Sequence, residues 1–243
     1  MDIRSRRGGP LAAVAGALDR FNHRHPWSHN DHFHRWIESR LPVRRRFALD
    51  VGCGRGELVA RLAQRFDHVV GIDADRTMCA VAAQRCREGG VTGVEIRSVT
   101  LEELAREPQQ ARRFDLISMV AVLHHLPLAP ALDQVRQLLA PGGRLLVVGL
   151  ARADSTGDLA VDLASTVVNP VVGFVQHPQA VRGPREAPPF PVKDPAETYD
   201  EIRLIARSAL PGARIRRRLF FRYTLEWTAS AEPGRRVPLA QPV

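Results

Sequence analysis

The sequence is poor in lysine and in cysteine, and it lacks any long apolar run. Lys193 is the single lysine among 35 basic residues, so arginine carries nearly all of the positive charge. The cysteines, Cys53, Cys79 and Cys86, form neither a C-x-x-C pair nor an even-numbered disulfide framework, which favours free thiols in a reducing compartment. No uninterrupted apolar stretch reaches the roughly 18 residues that a membrane span needs. These absences predict a cytoplasmic protein that does not cross a membrane.

The charge of the chain is positive but spread along its length. A net charge of +9 would indicate nucleic acid as the partner if the basic residues were clustered on one face. Only the arginine run between Arg214 and Arg222 resembles such a cluster, and it keeps nucleic-acid binding open as an alternative. With 44% hydrophobic and 25% charged residues, a chain of 243 residues is enough for one globular domain with an accessory cap.

The order of sequence patterns predicts an α/β domain. From Phe47 onward, short β-branched runs alternate with helical patterns, as in βαβ units of a mostly parallel sheet. Strands are predicted at 47–51, 68–73, 94–98, 114–120 and 144–150, with amphipathic helices between them. The alternation breaks at 151–195, where seven prolines lie between positions 170 and 195, which indicates an insertion. A helix at 199–209 and two antiparallel strands within 215–227 follow.

A glycine-rich loop joins the first predicted strand to the first helix, in the sequence Asp50-Val51-Gly52-Cys53-Gly54-Arg55-Gly56-Glu57. Glycines permit a positive φ and close approach of a ligand, and the helix N-terminus offers N–H groups to a carboxylate or phosphate. A dinucleotide fingerprint would need a third glycine at position 57, where Glu57 instead places a negative charge. An NAD-dependent oxidoreductase therefore stays only a remote alternative.

Asp73 ends the second predicted strand, about 20 residues after the loop, where an acid contacts ribose hydroxyls in such folds. A carboxylate can accept both hydrogen bonds of a cis-diol. The alternative is that Asp73 caps the helix that begins near Arg76, but Asp75 is better placed for that role. We therefore favour ribose binding for Asp73.

Four motifs in this order resemble the successive motifs of class I S-adenosylmethionine-dependent methyltransferases. They are Asp50–Gly56, Gly71-Ile72-Asp73, Phe114-Asp115 leading to Leu123-His124-His125-Leu126, and Leu139–Gly143. The resemblance covers about Phe47 to Leu150, and the flanking segments 29–34 and 223–227 are more weakly similar to bacterial small-molecule members. It implies a doubly wound, mostly parallel, seven-stranded Rossmann-like sheet with the last strand antiparallel, a helical cap and an inserted lid.

The implied domain organisation has five parts. They are an N-terminal helical cap (1–43), a cofactor-binding core (44–150), a substrate lid (151–195), a C-terminal helix and strands that complete the sheet (196–229), and a flexible tail (230–243).

The resemblance also implies a cofactor, S-adenosylmethionine, with S-adenosylhomocysteine as its product, and a set of residues that bind it. The implied set is Asp50, Gly52, Cys53, Gly54, Gly56, Asp73, Ala74, Val99, Thr100, Val120 and Ala121. Asp50 and the backbone around Gly52 and Gly54 would hold the methionine part. Asp73 would hold the ribose, with Ala74 against the adenine. Val99 and Thr100 stand near the place where the family often has an acid that reads the adenine amino group.

Methyl transfer from a sulfonium is an in-line displacement that depends mainly on positioning. A hydroxyl or ammonium acceptor must lose a proton, for which a histidine is a suitable base. His124 and His125 follow the fourth strand, where the acceptor should arrive, and we prefer His125 as the base, with a structural role as the alternative for each. The implied acceptor-binding residues are Trp27, His29 and Phe33, where Phe33 replaces a tyrosine common in similar proteins.

The expected function is methyl transfer to a small molecule. A nucleic-acid methyltransferase is one alternative, although the segment Ser118–Ala121 lacks the Asn/Asp-Pro-Pro-aromatic run of base amino-group methylators. A cofactor-binding protein of the same fold without turnover is another. The histidines between His23 and His34 invite a zinc site, but no cysteine or carboxylate set accompanies them, so we expect no metal.

Overall fold

The alternating strands and helices assemble into one sheet covered on both faces in the computed structural model, which describes residues 29–152, 194–218 and 222–230. The α-helices are α1 (His29–Glu38), α2 (Glu57–Leu62), α3 (Arg76–Glu88), α4 (Leu101–Ala105), α5 (Leu128–Leu138) and α6 (Tyr199–Ala209). The strands are β1 (Phe47–Val51), β2 (His68–Ile72), β3 (Val94–Arg97), β4 (Phe114–Val120), β5 (Leu139–Leu150), β6 (Arg214–Arg217) and β7 (Arg222–Thr228).

The strand order is β3-β2-β1-β4-β5-β7-β6. Strands β1 to β5 pair in parallel, whereas β7 is antiparallel to both of its neighbours, β5 and β6. This arrangement confirms the predicted fold class, including the antiparallel last strand. The direction of strand addition reverses between β1 and β4, and ligands of doubly wound sheets bind beyond the carboxyl ends of the strands at such a point.

Adjacent residues of the central strands supply two separate cores, because successive side chains of a strand point to opposite faces. On one face, Leu49 and Ile117 pack with α4, α5 and α6. On the other face, Ala48 and Leu116 pack with α2, α3 and Ile37 of α1. Helix α1 therefore lies on the same face of the sheet as the side chain of Asp50, two residues beyond Ala48.

The helix starts follow local hydrogen bonding that the sequence predicts. Asp75 caps α3, since its Oδ1 accepts hydrogen bonds from the N–H groups of Thr77 and Met78. Capping boxes begin two further helices, with Thr100 and Glu103 at α4 and with Thr198 and Glu201 at α6. Such caps contribute about 1 kcal/mol each.

The bounds of the strands differ from the prediction in three places. The strands predicted at 68–73 and 94–98 end one residue earlier, at Ile72 and Arg97. The strand predicted to start at Arg144 begins at Leu139, which pairs with Phe114, and the register shifts before Leu116 pairs with Arg144. The segment Pro141-Gly142-Gly143, whose composition is typical of a turn, forms an irregularity inside this strand.

The register between β5 and β7 has a distinctive contact. Gly149 pairs with Tyr223, whose buried ring occupies the space beside the glycine Cα. A Cβ atom added to Gly149 would lie 2.2 Å from the ring carbon Cζ of Tyr223. Glycine at this position is therefore required by the tyrosine on the neighbouring strand.

Several predicted segments fall outside the described residues. They include the start of the helical cap with Trp27, most of the proline-rich segment, and nearly all of the C-terminal tail. The assigned domain bounds stay predictions.

Candidate functional site

A cavity of about 570 Å³ opens at the carboxyl ends of the parallel strands. Such a volume is typical of small-molecule sites. Most of the residues predicted to bind the cofactor or act as base line it, namely Asp50, Gly52, Cys53, Gly54, Asp73, Ala74, Val99, Thr100, Val120, Ala121, His124 and His125. Residues from β1, β2, β4 and the loops that follow them therefore meet in one place.

The glycine-rich loop turns sharply at the end of β1. Gly52 has a φ of 68°, and a Cβ atom there would lie 2.6 Å from Cγ2 of Val122. The N–H of Cys53 donates to the carbonyl oxygen of Ile72 at 2.9 Å, which ties the loop to the end of β2. Positive φ and tight packing together make glycine necessary at position 52.

Gly56 lies behind the residues that line the cavity, and its predicted contact with the cofactor stays a prediction. It is buried, it does not line the cavity, and its φ of 75° precedes the first turn of α2. A Cβ atom on Gly56 would lie 2.9 Å from Cβ of Ala82 in α3. Gly56 therefore permits the close approach of α2 and α3.

Asp73 lies against the glycine-rich loop. Its Oδ2 accepts a hydrogen bond from the N–H of Gly54 at 2.9 Å, and its Oδ1 accepts one from the N–H of Asp75 at 2.9 Å. Asp75 is the N-cap of α3, so Asp73 is not needed for that purpose. Each carboxylate oxygen has a second lone pair, so the side chain can still accept two hydrogen bonds from a diol.

Asp50 is a buried carboxyl group at the base of the cavity. It is 3% exposed, and its Oδ1 accepts a hydrogen bond from Oγ of Ser118 at 2.8 Å. The pKa of Asp50 is raised to about 7, because burial and, to a smaller extent, the negative charge of Asp73 together outweigh the lowering effect of the hydrogen bond from Ser118. No cationic side chain among the described residues forms an ion pair with Asp50, so a positively charged ligand group would stabilise its ionised form.

Cys53 is the cysteine that lines the cavity. Burial raises the pKa of its thiol, and the charges of Asp50 and Asp73 act in the same direction. A raised pKa keeps the thiol protonated, and a protonated thiol is a poor nucleophile.

His124 and His125 lie on a short 3-10 turn, Leu123–His125, directly after β4. Their ring centroids are 4.1 Å apart with an interplanar angle of 39°. Ala121, just before this turn, has a φ of 55°, which is strained for a residue other than glycine. Strained backbone of this kind persists only where the surrounding structure holds it, and Ala121, His124 and His125 all line the cavity.

The loop after β3 lines the cavity with Val99 and Thr100, which were predicted to lie near the adenine. Val99 is half-buried and Thr100 is exposed. The Thr100 hydroxyl donates to Oε2 of Glu103 and accepts from the Glu103 N–H, so it already serves the capping box of α4. Neither Val99 nor Thr100 is acidic, so these two positions provide no carboxylate that could bind an adenine amino group.

The N-terminal helix contributes a different residue from the expected one. His34, which is 4% exposed, lines the cavity, whereas Phe33 lies outside the lining. The guanidinium of Arg222 lies over the Phe33 ring at 5.5 Å, and Arg222 does line the cavity. The side chain of His29 and all of Trp27 lie outside what the structure describes, so their predicted contacts with an acceptor stay predictions.

Sequence reasoning missed His34 and Arg222. The sequence does contain a signal for Arg222. Apolar Tyr223 and Leu225 alternate with polar residues in β7, so Arg222 and the other even-numbered residues point to the opposite face of the sheet. In the structure, that face is the one that carries the side chain of Asp50. No comparable signal singles out His34, since the rotation of α1 is set by its packing on the sheet.

Two classes of feature are not found in residues 29–152, 194–218 and 222–230. No helix there is long and apolar enough to cross a bilayer. No group of three or more histidine, cysteine or acidic side chains there could hold a metal ion.

Comparisons with known proteins agree with this geometry. A family model described as a methyltransferase domain matches residues 48–143. An uncharacterized methyltransferase of Mycobacterium tuberculosis is 31% identical over 208 residues, which cover 84% of this chain and 98% of that protein. A ubiquinone biosynthesis O-methyltransferase of Marinobacter nauticus is 36% identical over 135 residues, which cover 55% of this chain and 56% of that protein.

Solved structures share the fold. A SAM-dependent methyltransferase from Aquifex aeolicus superimposes with a TM-score of 0.53 at 17% identity, covering 80% of this chain and 88% of that chain. Magnesium protoporphyrin IX methyltransferase from Synechocystis, solved with bound S-adenosylhomocysteine, gives a TM-score of 0.52 at 20% identity, covering 93% and 90%. This chain belongs to the class I S-adenosylmethionine-dependent methyltransferases, and S-adenosylmethionine is its cofactor.

Proposed function

We propose that the chain transfers the methyl group of S-adenosylmethionine to a small-molecule acceptor held in the same cavity. The observation that carries this proposal is the arrangement of two acids around the glycine-rich loop. Asp73 accepts a hydrogen bond from Gly54 at the loop, and the buried Asp50 lies at the end of the same strand from which the loop departs. S-adenosylmethionine carries a diol for the first acid and an ammonium for the second.

The individual roles in cofactor binding form part of this proposal. Asp50, with the backbone of Gly52, Cys53 and Gly54, holds the methionine part, and Asp73 holds the ribose. Ala74, Val99 and Thr100 enclose the adenine, while Val120 and Ala121 line the cofactor through their backbone groups. Gly56 supports the loop through its contact with Ala82.

The cofactor supplies a methyl group already activated on a sulfonium, so the task of the protein is to align the acceptor and to exclude water. The acceptor lies beside the turn after β4, where His125 accepts the proton of an acceptor hydroxyl or ammonium. The tilted ring of His124 lies beside the His125 ring and limits its orientation. Positioning contributes most of the rate, and the base contributes in addition about 10² to 10⁴-fold.

An oxygen of a small molecule is the acceptor that the relatives favour. The ubiquinone biosynthesis enzymes that match this chain are named as O-methyltransferases. The volume of the cavity, about 570 Å³, also suits a small acceptor. We further propose a cytoplasmic location, which the three free, buried cysteines support.

Calorimetric titration of the full chain with S-adenosylmethionine, S-adenosylhomocysteine and NADH tests the cofactor site. We expect the two adenosyl ligands to bind with micromolar or tighter affinity and NADH not to compete with them. Tighter binding of NADH would contradict the proposal.

Turnover of small phenols by the His125→Ala and His124→Ala variants tests the base. We expect the first to keep its affinity for S-adenosylhomocysteine and to lose at least about 100-fold in kcat, with a changed pH profile. We expect a smaller loss for His124→Ala. Full turnover by His125→Ala would assign His125 a structural role.

A further inference from the structure

Three charged side chains of the cavity, those of Asp50, Asp73 and Arg222, are separated across the sheet. Asp73 follows β2 and Asp50 lies on β1, whereas Arg222 begins β7, which is separated from β1 by β4 and β5. With neighbouring strands about 4.8 Å apart, β7 lies roughly 14 Å from β1 across the sheet. Asp50 and Asp73 therefore lie at the β1 and β2 side of the cavity, and Arg222 lies at the far side, beside β5.

Arg222 faces into the cavity from a defined position. It pairs with Leu150, the last residue of β5, and its guanidinium lies 5.5 Å from the centroid of the Phe33 ring. Its Nη1 atom is buried and has no hydrogen-bond partner within the described part of the chain. Burial lowers the pKa of the guanidinium to about 10, so the group stays charged at neutral pH.

A comparison along the same strand shows what Arg222 lacks. Glu226, four residues further and on the same face, lies 3.6 Å from Nε of Arg40 and 3.8 Å from Nη1 of Arg144. By contrast, no carboxylate of residues 29–152, 194–218 or 222–230 lies within 4.0 Å of Arg222. Asp194, which is exposed, also lines the cavity, but it forms no ion pair with Arg222.

A half-buried cation without an acidic partner costs stability, and natural proteins keep such groups mainly where a ligand completes them. The planar guanidinium matches a carboxylate or a phosphate through two parallel hydrogen bonds. The methionine carboxylate of the cofactor is one possible source of an oxyanion, but Asp50 and the glycine-rich loop place that group near β1. The region beside β5 and β7 is left to the acceptor.

We propose that Arg222 binds an oxyanion, a carboxylate or a phosphate, of the methyl acceptor, so that the acceptor is an anionic small molecule. The proposal rests on the proposed function, because it requires the acceptor to occupy this cavity beside the cofactor. Arg222 then determines specificity and orients the acceptor, while the atom to be methylated points back toward His125.

The test uses the full chain saturated with S-adenosylhomocysteine and titrated with benzoate, phenyl phosphate and the neutral analogue benzamide. We expect benzoate or phenyl phosphate to bind at least tenfold more tightly than benzamide, and the tighter of the two identifies the oxyanion. We expect Arg222→Gln to abolish this preference and Arg222→Lys to keep part of it, since a lysine keeps the charge but not the planar fork. Arg216→Gln, on the exposed edge strand β6, is the matched control and should keep the full preference.

Three outcomes would overturn the proposal. They are equal binding of benzoate and benzamide by the unmodified chain, a preference that survives in Arg222→Gln, and a loss confined to the affinity for S-adenosylhomocysteine. The last outcome would assign Arg222 to the methionine carboxylate. The affinity for S-adenosylhomocysteine, measured first in each variant, separates a failure of the cofactor site from a failure of the anion site.

Discussion

The two halves of the cavity are built in different ways. In the cofactor half, around the ends of β1 and β2, the polar groups are held by short internal contacts, such as the 2.9 Å hydrogen bond between Gly54 and Asp73. In the other half, around the ends of β5 and β7, where we propose that the acceptor binds, Arg222 has no acidic partner within the described residues. The difference indicates that the first half is shaped before its ligand arrives, whereas the second half depends on its ligand for charge balance.

The largest effect should come from Gly52→Ala, which breaks the preformed half. Alanine would be strained at a φ of 68° and would clash with Val122, so the loop must move. We expect the affinity for S-adenosylhomocysteine to fall by at least about 100-fold in calorimetry. Gly90→Ala is the control, because Gly90 has a φ of 62° but open space around it, and this variant should lose about 1 kcal/mol of stability and no affinity.

A smaller loss is expected for Asp73→Asn. The amide keeps one acceptor oxygen but loses the charge and the second acceptor that the ribose diol needs. We expect the affinity for S-adenosylhomocysteine to fall by about 10- to 100-fold. Asp133→Asn, an exposed acid on α5, serves as the control. Unchanged affinity in Asp73→Asn would remove the ribose assignment.

The next effect concerns pH. Since burial raises the pKa of Asp50 to about 7, its carboxyl is partly protonated at neutral pH, and binding of a cationic ligand favours the ionised form. As the pH rises toward 7, we expect the affinity for S-adenosylhomocysteine to increase by up to about tenfold per pH unit. Above pH 7, the affinity should level off. Binding at pH 7 should release protons, which calorimetry in buffers of different ionisation enthalpy detects. The Asp50→Asn variant should bind weakly, without this increase.

The same pKa sets the sign of a stability change. The folded-state pKa of Asp50 lies above the ordinary value of 3.8, so the contribution of this carboxyl to stability is largest below about pH 4 and is lost as the pH rises through 7. At pH 8, we expect Asp50→Asn to unfold at a higher temperature than the unmodified chain, with a free energy of unfolding larger by on the order of 2 kcal/mol. At pH 5, the increase in the free energy of unfolding should be smaller. Equal gains at both pH values would contradict the raised pKa.

The smallest effect is expected for Arg222, at the ends of β5 and β7. Replacing Arg222 with methionine removes a half-buried charge while keeping an unbranched chain over Phe33. In thermal denaturation, we expect the ligand-free variant to unfold at the same temperature or a few degrees higher. This corresponds to an increase of about 1 kcal/mol or less in the free energy of unfolding. A clear decrease would show that Arg222 is held by the fold and does not await a ligand.

The sequence was sufficient where the signal is local. The strands at 47–51 and 114–120 are buried apolar runs whose observed bounds equal the predicted ones. The loop around Gly52 and the acid at Asp73 are separated by a single βαβ step, so their juxtaposition follows from the fold class alone.

The sequence was insufficient where a contact across the chain decides. The start of β5 at Leu139 depends on pairing with Phe114, and a Pro-Gly-Gly segment would otherwise indicate a turn. The role of Gly56 depends on Ala82 in another helix. Phe33 and His34 are neighbours in sequence, and only the packing of α1 on the sheet decides which of them reaches the cavity.

The contact between Gly149 and Tyr223 has a consequence for how this chain can vary. The tyrosine ring fills the space that a side chain at position 149 would need. This pair therefore favours a single register between β5 and β7. A slip by a single position would turn Arg222 to the opposite face of the sheet and away from the cavity. Substitutions at 149 or 223 should therefore alter acceptor choice without touching the acceptor, and the two positions should change together or not at all.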